Sequence, residues 1–379
     1  MRALTQIVVS LMLCATATSA KDLRLKDFGG KADGRTDDGP AILRMVEAAP
    51  TSENNQRLKV ALKMFPAADT NGDGILTMAE AMAFKAKARG SQRGAQRQRR
   101  VKRPLLPKTV SGSPTAGGDE MKGYNGLYMG HSFFRPSATE LLNVIPDTSI
   151  VNHTECIVMQ GGQGGSPGFL WDNEENRAKG QKYLDDGEAD LLVMTYYSPA
   201  DSSVQHYSKW FDYSISKNPE MTFMIGIAWG KGLHEVNKAD LAERIGRVKV
   251  LHDHLIVPLR KKYPDNRILY CPYGLGVYEL VDRLNRGELP GVKYVLNPDK
   301  KARAKSKQTK EQLVNDETGH GGELVSRLGA LLWLQTLYDY DMSTLKPQRV
   351  EGLPDIDINE IAEKVHKQIA PFNAIYKKR

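Results

Sequence analysis

The chain has 379 residues, a formal net charge of +8, 40% apolar residues and three cysteines. That length holds one large domain and a small one, and the composition excludes a disordered, collagen-like or disulfide-built protein. The charge is local: Ala81 to Gly118 carries ten Lys and Arg and no acidic residue, and without them the remainder sits near −2.

The first twenty residues read as a secretory signal peptide cut after Ala20, with one early Arg, an apolar stretch from Ile7 to Cys14 and small residues up to Ala20. Its apolar core is far short of the ~20 residues of a membrane span. The expectation is a secreted or periplasmic protein with no transmembrane segment after cleavage. Cys156 and Cys271 sit in apolar runs and read as buried free thiols; export permits a disulfide without indicating one.

Residues 21–89 read as a small helical unit. Within it DTNGDGILTMAE, Asp69 to Glu80, has the spacing of a twelve-residue EF-hand loop. Asp69, Asn71 and Asp73 offer oxygens at alternate positions and Gly74 permits the sharp turn. Ile75 offers its carbonyl, Thr77 a direct or water-mediated contact, and Glu80 two carboxylate oxygens. The sequence therefore predicts a structural Ca2+ ion here, with no cofactor required for catalysis. No second loop pairs with it.

Residues 90–120 are rich in Gly, Pro, Arg and Ser and poor in apolar residues, which predicts a basic flexible linker. Its Arg-rich run could neutralise phosphates, but export and the lack of interleaved aromatics argue against nucleic acid. Weak contact with acidic polysaccharide or an anionic surface, or a plain tether, are the remaining readings.

From about Gly123 short apolar runs alternate with longer amphipathic ones: GLYMG then PSATELLNVI, ECIVMQ then a Gly-rich loop, ADLLVMTYY then VQHYSKWFDYSI. MTFMIGIAW then precedes a long helical stretch to Lys262, and RILYCPY precedes VYELVDRLNRG. This pattern predicts an α/β domain over residues 121–379, with a mostly parallel sheet covered by helices. Gly322–Tyr338 reads as a mostly buried helix. Asp357 and Glu360 make a capping box for a last helix with Ile358, Ile361, Ala362, Val365 and Ile369 on one face.

The run Gly126–Gly130 leads into Gly-His-Ser-Phe, and Pro136 lies where a helix can begin. That puts Ser132 at the carboxyl edge of the sheet, where open α/β folds hold their sites. Near the other end, NDETGH places Asp316, Glu317 and His320 in a Gly-flanked loop before the buried helix. A histidine base needs access and a carboxylate to orient it. Either acid can reach the ring from one loop.

This order, strand–GHSF, a Gly-rich loop, then acid–x–x–His, resembles the SGNH hydrolase (GDSL-type esterase/lipase) superfamily in its Gly-His-Ser-Phe variant, over residues 123–338. The resemblance implies a flavodoxin-like three-layer sandwich, with Ser132 as nucleophile and His320 as base. The acid falls on Glu317 by spacing, with Asp316 the alternative, and an oxyanion-binding backbone N–H falls on Gly162 or a close neighbour. His131 stands where the family usually has Asp. The third block's Asn is missing, since Tyr196, Tyr197, Ser198 and Pro199 follow ADLLVMT; Gln160, Gln163 and Tyr196 are candidate replacements.

The leading expectation is an exported serine esterase acting on a small-molecule or polysaccharide ester, with a carbohydrate O-acyl or acetyl group the most natural substrate and Trp171, Tyr196 and Tyr197 candidate cleft aromatics. The alternative is a catalytically weak or inactive binding or structural protein on the same fold.

Overall fold

The structure, a computed structural model, describes residues 59, 62–63, 66–70, 73–77, 80, 106–113 and 120–376. The expected signal peptide, most of the expected helical unit and the Arg-rich run lie outside the described residues. The chain divides into two units, Met1–Arg103 and Pro104–Arg379.

In the first unit the loop from Asp69 to Glu80 spends its acids on its own donors. Asp69 Oδ2 accepts the Gly74 amide at 2.8 Å and Asp73 Oδ1 the Ile75 amide at 2.8 Å. Both oxygens of Glu80 are taken, one by the amide and hydroxyl of Thr70 and the other by those of Thr77. These threonine donors, those of Thr77 foremost, hold its carboxyl down at about 2. Gly74, at φ +81°, makes the turn. The calcium expectation is corrected: among the described residues no group of three or more His, Cys, Asp or Glu could hold a metal ion. Asp69, Asp73, Ile75, Thr77 and Glu80 thus form a capped turn. Asn71 lies outside the described residues.

The second unit is an α/β architecture built on a six-stranded sheet. Its strands are β1 (Lys108–Val110), β3 (Asn125–Gly130), β5 (His153–Met159), β6 (Leu191–Thr195), β7 (Thr222–Gly226) and β8 (Ile268–Cys271). They lie in the order β1-β5-β3-β6-β7-β8, all parallel except β1, which runs antiparallel to β5. Two short strands, β2 (Met121–Lys122) and β4 (Ile150–Val151), pair separately. LLVMT, TFMIG and ILYC are buried at every position, as strands covered on both faces require.

The helices are α1 (Arg135–Val144), α2 (Pro167–Asp172), α3 (Glu174–Leu184), α4 (Val204–Lys217), α5 (Lys238–Leu251), α6 (Val257–Lys262), α7 (Gly274–Asn285), α8 (Arg303–Gln308), α9 (Glu323–Tyr338) and α10 (Ile358–Asn373). They flank the sheet in two groups: α9 packs against α1, α7 and α10, while α2, α3 and α4 pack together. Helix α9 is buried from Leu324 to Tyr338 except at Arg327, as an apolar-all-round sequence demands. Asp357 caps α10 by accepting the Glu360 amide. The long stretch to Lys262 is helical but carries a π turn, His252–Ile256, between α5 and α6. Pro258 is the cause, because its ring lacks an N–H and crowds the carbonyl one turn back. Among the described residues no helix is long and apolar enough to cross a membrane.

Cys156 and Cys271 are free and buried, and burial pushes their thiols up to about 11 and about 12. Within the expected linker, Lys108–Val110 joins the main sheet as an edge strand, with the Thr109 and Thr154 hydroxyls 2.8 Å apart. Two β-positioned residues, Thr and Val, suffice once an edge is offered.

Between β3, β5 and α9 lies a buried polar knot. His153 Nε2 stands 3.2 Å from Glu155 Oε1 and 3.3 Å from the Tyr128 hydroxyl, and its Nδ1 accepts from the Tyr338 hydroxyl at 2.7 Å. Burial keeps both ionisable groups neutral, His153 falling to about 3 and Glu155 rising well above the carboxylate range.

Candidate active site

Strand β3 ends at Gly130, where a Cβ would lie 1.9 Å from the Thr195 hydroxyl and 2.8 Å from the Phe134 ring. Only glycine lets the chain pass, and it turns at once through His131–Phe134 into α1, with Pro136 in the first helical turn. Ser132 sits half-buried on that turn, at the carboxyl edge of the sheet.

His320 Nε2 is 2.8 Å from Ser132 Oγ, and His320 Nδ1 is 2.7 Å from Asp316 Oδ2. With Nδ1–H donating to the carboxylate, Nε2 offers its lone pair and the serine hydroxyl donates to it. Asp316 Oδ1 also accepts the amides of Gly319 at 3.1 Å and His320 at 3.3 Å. Burial pulls Asp316 upward, but the bonds from the His320 ring, then those from the loop amides, outweigh it and hold the carboxyl below its usual value.

The spacing preference for Glu317 gives way to Asp316. Glu317 turns outward, where Arg303 at 3.0 Å and Lys300 at 3.2 Å hold its exposed carboxyl down. The cause is the loop's shape. Gly319 takes φ +95°, the Asn315 amide donates to the His320 carbonyl at 2.7 Å, and the Asn315 side chain donates to Gly321. This closure carries His320 back over Asp316.

Trp229 fixes the loop from outside. Its buried indole N–H donates to the Gly319 carbonyl at 2.9 Å, and its ring stacks on Phe133 at 5.0 Å. Phe133 in turn meets His320 edge-on at 5.2 Å. Sequence reading assigned no site role to Trp229 or Phe133. The available signal was position: Trp229 closes MTFMIGIAW at the same sheet edge as Ser132.

His131 is buried, and its ring bridges two segments of the chain. Nδ1 accepts the Phe133 amide at 3.3 Å, and Nε2–H donates to the Tyr196 carbonyl at 3.2 Å. Burial pulls its pKa below the usual value, against the opposing bond to Tyr196, so a neutral ring stands beside the relay.

The glycine-rich loop presses on the same turn. At Gly165 a Cβ would lie 2.4 Å from the Gly130 carbonyl oxygen and 2.5 Å from the His131 nitrogen. Gly162, at φ +55°, opens the 3-10 turn Gly162–Gly165 and lines the cleft with Ser132. The side-chain amides of two candidates for the missing Asn are committed, Gln160 to Asn176 at 2.9 Å and Gln163 to Asp201 at 2.9 Å. Tyr196 and Tyr197 line the cleft. Trp171 does not: it packs edge-on against Trp210 at 5.0 Å.

Ser132 and His320 open into a cleft of about 860 Å³, walled by Phe133, Trp229, Ile227, Leu275 and Tyr278 and by residues of α5. On its other side Ser132 borders a shallower depression of about 540 Å³.

No family model matches the chain, and no curated protein matches it. Among solved structures, a DUF4886 family protein from Bacteroides uniformis is similar at 15% identity and a TM-score of 0.43, over 66% of this chain and 95% of that one.

Proposed function

We propose that this chain is an exported serine hydrolase of the SGNH type, cleaving an O-acyl ester of a carbohydrate or similar polyol through an acyl-enzyme on Ser132. The observation that carries the reading is the continuous hydrogen-bonded relay Ser132–His320–Asp316, at 2.8 Å and 2.7 Å, opening on a cleft. A catalytically idle binding protein has no need to hold these three groups in register.

In this reading Ser132 Oγ attacks the ester carbonyl carbon as its proton passes to His320 Nε2. Asp316 fixes the ring through Nδ1–H and stabilises the imidazolium. The alcohol leaves with that proton, and water, deprotonated by the same base, releases the acid. The neutral state of His131 spares the imidazolium a second positive charge. For the oxyanion the candidates are the amides of Ser132, which no carbonyl accepts among the described residues, and of Gly162, an orphan donor at the start of its turn. Without the family's Asn, turnover should fall short of a full oxyanion hole by about 3 kcal/mol in the barrier.

A fluorescent alkylphosphonofluoridate tests the reading. One adduct is expected, on the Ser132 peptide, absent from Ser132→Ala and slowed severely in His320→Ala. A folded protein that takes no label and cleaves no ester in a panel of aryl esters and acylated sugars would sink it.

A further inference from the structure

Ser132 lies where two depressions of different size meet, and it is the one residue lining both among the described residues. The larger, about 860 Å³, is lined by Ile227 and Leu275 and, from α5, by Val248 and Leu251. Its charged side chains are engaged with one another or with the cleft wall: Arg247 pairs with Glu243 at 2.5 Å, Arg244 donates to the carbonyls of Trp229 at 3.0 Å and Lys231 at 3.1 Å, Asp240 accepts the Asn237 amide at 3.2 Å, and the Lys231 ammonium stands 5.9 Å over the Tyr197 ring. The smaller, about 540 Å³, sets Arg135, Thr139, Glu140, Asn315, Glu323 and Ser326 beside Pro136 and Met159.

We infer that the apolar cleft receives the acyl half of the substrate and the polar depression its alcohol half, so that the preferred ester carries a medium-to-long apolar acyl chain rather than acetyl. This rests on the serine-hydrolase reading. A space of this size falls in the upper part of the ~300–1,000 Å³ range of pockets that bury drug-sized ligands. An acetyl group would leave most of it as water against apolar walls, which each added methylene displaces favourably. The polar depression supplies donors and acceptors for hydroxyls of a polyol leaving group.

Phosphonofluoridates with one constant small alkoxy group and either methyl or octyl on phosphorus read this directly. The Ser132 Oγ–P bond forms as P–F breaks, fluoride leaves, and the proton passes to His320. At about fourfold per buried methylene as an upper limit, octyl should label at least about tenfold faster than methyl, followed by intact mass. The ratio kcat/KM for para-nitrophenyl octanoate over acetate should be of the same order. Leu275→Trp should collapse both ratios; Val248→Trp, from α5, makes the same test where thermal melts show Leu275→Trp unfolded. Methyl labelling as fast as octyl, or ratios that survive a folded filling variant, overturns the acyl assignment and leaves the hydrolase reading standing. No adduct on Ser132 with either probe overturns both.

Discussion

Asp316→Asn is the substitution from which the relay has most to lose. In the native loop Nδ1–H of His320 donates to Asp316 Oδ2 at 2.7 Å while the other carboxylate oxygen holds two loop amides. Asparagine can keep its oxygen on the amides, which turns its NH2 toward Nδ1. The ring must then carry its proton on Nε2, where it can no longer accept from Ser132. The electrostatic loss at this separation is about 1.5 kcal/mol in water and about 6 kcal/mol at an effective dielectric near 20. The Asp316 side chain is 49% exposed, so solvent screening places the loss in the lower half of that range, about 3 kcal/mol, or roughly a hundredfold in kcat. The wrong tautomer adds to it, for an expected total of about 10²–10³. Glu317→Gln removes only exposed pairs with Lys300 and Arg303, and should change kcat/KM by less than about twofold. Steady-state kinetics on one para-nitrophenyl ester, with melts to certify folding, decide the matter. Asp316→Asn within threefold of native, or Glu317→Gln the costlier change, would refute the assignment.

Trp229→Phe keeps a ring on Phe133 but strands the Gly319 carbonyl; the expected cost is about 1–3 kcal/mol in thermal or denaturant unfolding, with kcat lowered about tenfold. An unchanged kcat would show that the indole does not hold the base loop. Gly165→Ala forces a Cβ into the backbone at Gly130 and His131, so stability should fall by about 1–3 kcal/mol and phosphonate labelling should slow with it. Glu155→Gln tests the buried knot through pH. The folded carboxyl is raised, so the native state binds the proton that the unfolded chain gives up above about 4.5, and native stability is eroded as pH rises beyond that point. The glutamine variant should gain on the native protein by at most about 1.4 kcal/mol per pH unit above 4.5 and converge with it near 4.5; a difference independent of pH across melts from 4.5 to 8 would contradict a neutral Glu155. His153, lowered to about 3, works in the opposite sense. The unfolded chain takes up its proton below about 6.5, so stability falls from there toward 3.

Much of this was legible in the chain. Short apolar runs such as LLVMT and TFMIG, alternating with longer amphipathic ones, fit strands covered on both faces, and a Gly-His-Ser turn between strand and helix needs no tertiary information to place Ser132 at a sheet edge. The pairing of His320 with a carboxylate was legible because two acids lay within one loop of it. The choice between Asp316 and Glu317 was not legible, because it depends on a left-handed Gly319 and on Asn315 closing the loop, both consequences of three-dimensional fit. Trp229 reaches Gly319 across ninety positions, a pairing no local pattern announces. The acids of Asp69–Glu80 have the spacing of metal ligands, yet spacing does not say whether an oxygen will face an ion or a neighbouring amide. Here they face Gly74, Ile75 and two threonines. Residues 108–110 read as linker because their composition is that of one, and they become a strand only when β5 offers them an edge.

That short antiparallel strand determines where the domain can be cut. Lys108–Val110 covers the outer side of His153–Glu155, and the Ser111 hydroxyl and Gly112 amide continue the seal to Asn152 and Ile150. A fragment begun at residue 121, the boundary composition suggests, would leave β5 with a bare ladder of donors and acceptors next to ECIVM. Such an edge is a template for another copy of itself. Begun at residue 104, the same fragment keeps its edge covered, and is the better-behaved piece to express alone.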